Sequence, residues 1–221
     1  MNLLSIINGL LSGLPNTLII LLFSFVLSSI IGLAVVWLSL QNESVSKTIA
    51  RAYTGLSRGT PPLLMLLLAY YELPRLLQFI GINAQDWSKN LFAIFGLAVG
   101  FGGYMGEVFR SAFDAVDPVQ FEAAYSVGME RRDILKEIIL PQVFQIALPN
   151  IQNMFLGFLK ASSLVYVIGI SDMYRDATNL ANVNQGVFQL QIFVVLGLIY
   201  WLITIFFDYL FNLYIQKHNY I

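Results

Sequence analysis

The amino-acid sequence predicts an all-α integral membrane protein with about five transmembrane helices, and its composition carries that prediction. Hydrophobic residues make up 57% of the 221 residues and charged residues only 11%, with a mean hydropathy of +0.72. An average soluble domain is about 45–50% apolar and about 25% charged. The first charged side chain is that of Glu43. We therefore expect the lipid bilayer to surround this chain, which is treated as one transmembrane domain over residues 1–221.

The residue inventory excludes several classes of function. The sequence contains no Cys and one His, His218, so it supports neither a disulfide framework nor a histidine-rich metal site. The formal net charge of −1 leaves no basic footprint for nucleic acid. The sequence also lacks a G-x-x-x-x-G-K-[ST] phosphate loop. We therefore do not expect an enzyme, and we expect no cofactor on this chain.

The transmembrane helices are predicted from the length of the apolar segments. A spanning helix needs about 20 mostly apolar residues, because the hydrocarbon core is roughly 30 Å thick. The first apolar segment is predicted to be a retained helix rather than a signal peptide, since no Lys or Arg precedes it. The second segment contains Glu72 and Arg75, and the fourth contains Lys160. The five segments span about 15–39, 61–82, 91–110, 150–171 and 190–213.

The orientation follows from the basic residues of the connecting loops, which are enriched on the cytoplasmic side. One side of the predicted bundle holds only Lys89 and Arg175 in its loops. We therefore predict an external N-terminus and a cytoplasmic C-terminus. The loops of the predicted cytoplasmic side hold seven basic residues: Lys47, Arg51, Arg58, Arg131, Arg132, Lys136 and Lys217.

The third predicted helix contains glycines at helical spacing, Gly96 with Gly100 and Gly102 with Gly106. Small residues four apart bring membrane helices close together. We interpret the four glycines as a packing surface and assign them no chemistry.

A short helix is predicted in the large cytoplasmic loop, at about residues 112–141. Asp117 is suited to cap its first free N–H groups and Pro118 to occupy its first position. Gly128 is suited to the left-handed turn that ends it after about ten residues. Ala123 and Ala124 keep part of its surface thin, so that another backbone can approach closely. Capping alone predicts no more than a helix–turn–helix at the membrane surface.

A second, charged helix follows from Glu130 to about Leu140, where Pro141 is expected to end it. Its predicted apolar face consists of Ile134, Leu135, Ile138 and Ile139.

The sequence of this loop also resembles a motif of a known protein family. The string that begins with Glu122-Ala123-Ala124, continues to Gly128 and ends at Pro141 resembles the EAA loop of ABC importer membrane subunits. Segments 58–64, 103–110 and 159–164 are similar to the second, third and fourth helices of the polar amino acid branch of that family. The resemblance covers about residues 10–215. It implies a type I importer permease fold.

Two positions depart from the family pattern. The family commonly has an acidic residue after the lysine of its fourth-helix motif, where this chain has Ala161. The residue before Leu73-Pro74 is usually small, and here it is Glu72. Both differences change the charge near the pathway that the resemblance implies, so the substrate is not inferred from the family.

The resemblance implies the translocation-pathway subunit of an ATP-driven amino acid importer in a prokaryotic cell membrane. It implies cytoplasmic ATP-binding subunits that hold ATP and Mg, a second membrane subunit (a copy or a paralogue), and an extracytoplasmic amino acid-binding protein. Coupling to the ATP-binding subunits is implied for Glu122, Ala123, Ala124 and Gly128. The alternative is a self-sufficient secondary transporter or channel for small polar solutes. Such proteins often contain internal repeats, and the two halves of this sequence show none.

The candidate pathway residues are charged residues within the spans and polar residues beside them. A zwitterionic amino acid needs both a cation and an anion partner, and charged groups within a membrane usually face a cavity or a partner. The other interpretation is that Glu72 pairs with Arg75, Glu107 with Arg110, and Lys160 extends to the interface or pairs with another helix. The candidates are Glu72, Tyr71, Lys160, Ser162, Ser163 and Glu107.

Because the chain has no Cys, single introduced cysteines report its topology directly. Cysteines at Asn8, Asn83 and Asn182 should react with an impermeant thiol reagent outside sealed cells, whereas cysteines at Ser46 and Ser126 should be protected. Labelling of position 126 from outside would contradict both the orientation and the coupling-loop assignment.

Overall fold

The structure is a computed structural model that describes residues 2–41 and 43–218 of the chain. Every regular element in these two ranges is a helix, which confirms the all-α prediction. The elements are α1 (Leu3–Leu11), α2 (Leu14–Leu40), α3 (Ser44–Gly59), α4 (Pro62–Tyr71), α5 (Leu73–Phe79), α6 (Lys89–Asp114), α7 (Val119–Ser126), α8 (Arg131–Asp133), a π-helical segment (Ile134–Ile139), α9 (Leu140–Ala161), a 3₁₀ segment (Ser162–Ile168), α10 (Met173–Val183) and α11 (Gln189–His218).

Four helical stretches of the described ranges are long and apolar enough to cross a membrane. The second predicted span, 61–82, is instead divided into the shorter helices α4 and α5, so the count of five stays a prediction. Three helices lie where the sequence predicted loops, namely α1, α3 and α10. The four long stretches are Leu3–Leu40, Lys89–Asp114, Arg131–Ile168 and Gln189–Lys217.

The break between α4 and α5 lies at Glu72. Pro74 occupies the first turn of α5, where its missing N–H costs no helical hydrogen bond. Pro74 also has no N–H to continue the hydrogen bonds of α4. The Glu72 N–H closes α4 on the carbonyl of Leu68 at 2.9 Å, and the Glu72 carbonyl accepts from Leu76 of α5 at 2.9 Å. The two helices are therefore distinct but share one junction residue.

Helix α6 lies at the centre and packs against α2, α3, α4 and α9. Its glycines allow the close approach that the sequence predicted. A methyl group on Gly96 would lie 2.8 Å from Ala69 of α4, one on Gly103 would lie 2.8 Å from Ser57 of α3, and one on Gly106 would lie 3.1 Å from Val35 of α2. Three helices thus meet α6 where it has no side chain.

Polar side chains fix α3 to the same helix. The buried Ser57 hydroxyl donates to the Gly100 carbonyl at 2.7 Å and accepts from the Gly103 N–H at 3.1 Å. The hydroxyls of Tyr53 and Tyr104 donate to backbone carbonyls across the same contact, at 2.7 and 3.0 Å. These bonds satisfy hydroxyl groups that would be costly to leave without a partner in an apolar environment. They hold α3 in one register along α6.

Three apolar clusters complete the packing. The largest joins α2, α4, α6 and α9, where the rings of Phe25 and Phe101 pack against Phe158 with centroid distances of 5.9 and 4.5 Å. The second joins α1, α10 and α11. The third lies beneath α7 and contains Val116, Ala124, Ile134 and Ile139.

The prediction that Pro141 ends a helix is wrong. Helical backbone continues from Arg131 to Ile168, and α9 begins at Leu140 rather than near residue 150. Pro141 has no N–H to donate, and its ring would clash with the carbonyl of residue 137 in a regular α-helix. The π-helical segment Ile134–Ile139 widens the preceding turn and accommodates the proline. Buried Ile134 and Ile139 hold that segment in place.

Two glycine substitutions test the close packing of α6. In Gly32→Ala, the new methyl would lie 2.8 Å from the Gly106 nitrogen and 2.9 Å from the Met105 carbonyl carbon, so α2 must move away from α6. Such overpacking costs about 1–3 kcal/mol, and we expect a lower melting temperature in detergent. Gly157→Ala is the control, because no neighbouring atom lies within 4 Å of the new methyl. It should stabilise α9 by up to about 1 kcal/mol; equal shifts in both variants would contradict the packing argument.

Candidate functional site

The predicted short helix of the large loop is confirmed as α7, although it has eight residues rather than about ten. The Asp117 carboxylate accepts a hydrogen bond from the Val119 N–H at 2.9 Å, as a capping residue does. Gly128 has a φ of +83° and donates its N–H to the Tyr125 carbonyl at 3.0 Å. The Met129 N–H donates to the Ala124 carbonyl at 3.2 Å. The helix therefore has a defined start and a glycine-dependent end.

Helix α7 rests on the chain with one side and is open on the other. Ala124, predicted to face a partner, instead lies against Ile134 and Ile139 of the π-helical segment and is only 4% exposed. The apolar exposure on the open side, where Val127 is 76% exposed, was not predicted from the sequence. We call this side the α7 face; it consists of Val119, Glu122, Ala123, Tyr125, Ser126, Val127 and Gly128, all exposed.

Glu72 lies at the break between α4 and α5 and forms an ion pair with Arg75, with Oε1 and Nη1 2.9 Å apart. This is the local pairing that the sequence allowed as one of two interpretations. The Glu72 side chain is 46% exposed, so the pair contributes about 0–1 kcal/mol to stability. The neighbouring Tyr71 ring is exposed and packs against Tyr70 with a centroid distance of 4.9 Å.

Lys160 and Ser163 line a cleft with a volume of about 310 Å³ at the opposite end of α9 from α7. The Ser163 hydroxyl donates to the Lys160 carbonyl at 2.7 Å. Ser162, predicted beside them, is buried and donates to the Leu159 carbonyl at 2.7 Å. Glu72 is not among the residues that line the cleft. We call this space the Lys160 cleft; it is lined by Lys160, Ser163, Tyr174, Phe193, Leu196, Gly197 and Tyr200.

The 3₁₀ segment that follows Lys160 ends at Gly169, which has a φ of +83°. Two cations donate to carbonyls of this end. Lys89 Nζ donates to the Ile168 carbonyl at 3.1 Å, and Arg175 Nη1 donates to the Tyr166 carbonyl at 3.3 Å. Positive charge at the C-terminal end of a helix is electrostatically favourable. Both basic residues counted on this side from the sequence therefore have a structural role at one helix end.

Glu107 lies apart from the Lys160 cleft. Its carboxylate accepts two hydrogen bonds from Arg110, at 2.6 and 3.1 Å, and Arg110 also bonds to Asp114. Glu107 and Arg110 line a second space of about 310 Å³, which Arg51 and residues of α2 and α3 complete. The predicted pairing of Glu107 with Arg110 is confirmed, and the structure does not bring Glu107 together with Lys160.

Asp172 is fully buried where α10 begins. Its carboxylate accepts hydrogen bonds from the N–H groups of Arg175 and Tyr174, at 3.0 and 3.2 Å, and so caps the helix. The next residue donates its N–H to the Thr17 hydroxyl of α2 at 3.3 Å. Burial raises the pKa of Asp172 to about 6, because the charged carboxylate loses hydration that the backbone donors only partly replace.

The sequence of this chain is similar to those of known proteins. The family model for the inner membrane component of binding-protein-dependent transport systems matches residues 31–219. The probable amino-acid permease protein YxeN of Bacillus subtilis is 31% identical over 205 residues, which cover 93% of this chain and 89% of that protein. The histidine/lysine/arginine/ornithine transport system permease protein HisQ of Salmonella typhimurium is 35% identical over 200 residues, which cover 88% and 86%.

The fold also matches a solved structure. A crystal structure of an amino acid ABC transporter with histidines superposes on this chain with a TM-score of 0.84 at 30% identity. The superposition covers 98% of this chain and 99% of the other. It confirms the predicted permease fold of type I importers.

The buried carboxylate of Asp172 predicts a pH-dependent stability. Its pKa is raised from about 3.9 in the unfolded chain to about 6 in the fold, so its protonation favours the fold. The contribution is complete below pH 4 and is lost as the pH rises through 6. Asp172→Asn keeps a capping oxygen without the charge. Its melting temperature in detergent should exceed that of the unaltered chain by a few degrees at pH 7.5, and this difference should shrink toward pH 4. A difference that is constant with pH would contradict the assignment.

Proposed function

The chain belongs to the family of binding-protein-dependent transport system inner membrane components, and from that premise we propose that it is the translocation-pathway subunit of an ATP-driven amino acid importer. The membrane is the cytoplasmic membrane of a prokaryotic cell, which the chain crosses several times. Substrate moves by alternating access, and ATP hydrolysis takes place on separate ATP-binding subunits that hold ATP and Mg.

The observation that carries this proposal is the α7 face. Its helix is capped at Asp117, ends at Gly128, and presents exposed Val119, Tyr125 and Val127 at the predicted cytoplasmic end of the bundle. Exposed apolar and aromatic side chains beside a charged residue are typical of a protein interface. Because the sequence lacks a phosphate loop, the protein that binds there supplies the ATP hydrolysis.

The same face is connected to the opposite end of the molecule. Ala124 packs on the π-helical segment, and that segment continues into α9, which ends beside Lys160. The helical stretch from Arg131 to Lys160 is roughly 45 Å long at about 1.5 Å per residue. A displacement of α7 by an ATP-binding subunit is therefore passed along one continuous helix to the Lys160 cleft.

A single copy does not surround a pathway, so we include a second membrane subunit, either a copy of this chain or a paralogue. An extracytoplasmic binding protein delivers the amino acid to the external end, near α10 and the Lys160 cleft. Lys160 and Ser163 border the substrate there, and buried Ser162 supports the backbone behind them. Glu72 and Tyr71 border the outer part of the pathway, and Glu107 lies on α6 nearer the cytoplasm.

Two glycines with the same backbone conformation allow a matched test of the α7 face. Gly128 and Gly81 have φ values of +83° and +84°, and neither has an atom within 4 Å of an added Cβ. Valine at either position imposes a similar local strain, on the order of 1 kcal/mol or more. Only Gly128→Val should reduce, by several-fold, both co-purification of the ATP-binding subunits and transport. Both variants should insert into the membrane at normal levels.

Glu122→Lys provides a second test of the same surface without backbone strain and should also weaken coupling. Equal behaviour of Gly128→Val and Gly81→Val, together with unaltered transport in Glu122→Lys, would remove the role of the α7 face. Uptake by the purified chain alone, driven only by an ion gradient, would establish the secondary transporter instead.

A further inference from the structure

The Lys160 cleft contains charge of one sign only. Lys160 is the sole charged side chain among its seven lining residues, and none of them is a carboxylate. The acidic residues of the adjacent helix α10 have other partners. Asp172 accepts from the backbone of its own helix, and Asp176 accepts from the hydroxyls of Ser12 and Ser171 at 2.8 and 2.7 Å.

Lys160 itself is available to a ligand. It is exposed and forms no ion pair within residues 2–41 and 43–218. Lys89 and Arg175, the two cations beside the 3₁₀ segment, are occupied, since they bond to carbonyls of that segment. Ala161 follows Lys160 in the chain and contributes a buried methyl group in place of a charge. No side chain of the described ranges therefore neutralises the ammonium group.

The rest of the cleft fits the uncharged part of a small ligand. Tyr174 forms an aromatic wall, with ring centroids 4.7 Å from Tyr166 and 5.7 Å from Phe193. Gly197 leaves open space on the α11 side, because nothing lies within 4 Å of an added Cβ. The volume of about 310 Å³ lies at the lower end of the range for small-molecule sites. This size suits a single amino acid better than a larger solute.

Tyr174 attracts a cationic side chain of the substrate, whereas Lys160 repels it. A tyrosine face attracts a cation, but this attraction is weak where water has access. At the same exposed surface, the repulsion between two like charges at contact distance exceeds this attraction. A guanidinium or ammonium group on the side chain of the substrate is therefore disfavoured in this cleft, whereas a carboxylate is attracted to Lys160.

We propose that the Lys160 cleft binds the carboxylate of an amino acid substrate and selects amino acids with neutral or anionic side chains over cationic ones. This inference rests on the proposed function, because it assigns the substrate class of the same pathway. It adds a charge filter in the membrane subunit, separate from the selectivity of the external binding protein.

The test uses the complex of this chain with its ATP-binding subunits in nanodiscs, without the external binding protein, so that receptor selectivity plays no part. Equilibrium binding of radiolabelled L-glutamate, L-glutamine and L-arginine is measured. L-glutamate and L-glutamine should bind at least tenfold more tightly than L-arginine. Lys160→Met should weaken L-glutamate binding at least tenfold, whereas the control Lys217→Met, at the far end of α11, should leave it unchanged.

Ser163→Asp supplies the opposite change, because it places a carboxylate among the residues that line the cleft, three positions after Lys160. This variant should improve L-arginine binding relative to L-glutamate at least tenfold. Equal or tighter binding of L-arginine by the unaltered complex would overturn the proposal, as would a charge order that Lys160→Met leaves intact. Failure of all three amino acids to bind at millimolar concentration would overturn it too.

The two proposals fail in different ways. If the complex assembles and hydrolyses ATP while the charge order is not observed, only the charge filter is wrong. If the ATP-binding subunits do not associate with the chain, the proposed function is wrong, and the binding series on the chain alone in nanodiscs still decides the charge order.

Discussion

The glycines of α6, which have no side chains, are the constraint on which the rest of the structure depends. Helices α2, α3 and α4 approach α6 at glycines, where a single methyl group would meet atoms 2.8–3.1 Å away. In lipid, apolar helices gain little from contact with one another unless their surfaces approach closely. The glycines provide that approach, and the Ser57 and Tyr53 hydroxyls then fix the register of α3. The positions of α9 and of the α7 face follow from the core built around α6.

The sequence predicts most of this fold because the bilayer imposes simple rules. Uncharged segments of sufficient length gave the long helices, and glycine spacing gave the packing surface of α6. Local rules were less reliable where tertiary contacts oppose them. Pro141 predicts the end of a helix, yet the helix continues beyond it, because buried Ile134 and Ile139 stabilise a π-helical segment. Helices α1 and α10 are too short or too polar for hydropathy to reveal them, and they are held by contacts distant in sequence.

In the candidate site too, contacts within one helix could be predicted from the sequence, whereas contacts between distant segments could not. Contacts within one helix turn, such as Glu72 with Arg75 and the cap at Asp117, follow from spacing and were predicted. The burial of Ala124 depends on a neighbouring segment that spacing does not reveal. The Lys160 cleft was found only in part, because Tyr174 and Phe193 reach it from α10 and α11. A single sequence does not show which aromatic residues of a lipid-facing helix turn inward.

The unbroken helical path from Arg131 past Lys160 has a mechanical consequence. A rod pivoting near one end converts a small rotation into a large stroke at the other. For a length of roughly 45 Å, a tilt of about 5° moves the distant end by roughly 4 Å, which exceeds the diameter of a water molecule. Pro149 lies inside α9 and removes one helical hydrogen bond there, so the stiffness of the helix at this proline sets how much of a rotation at the α7 end reaches the distant cleft.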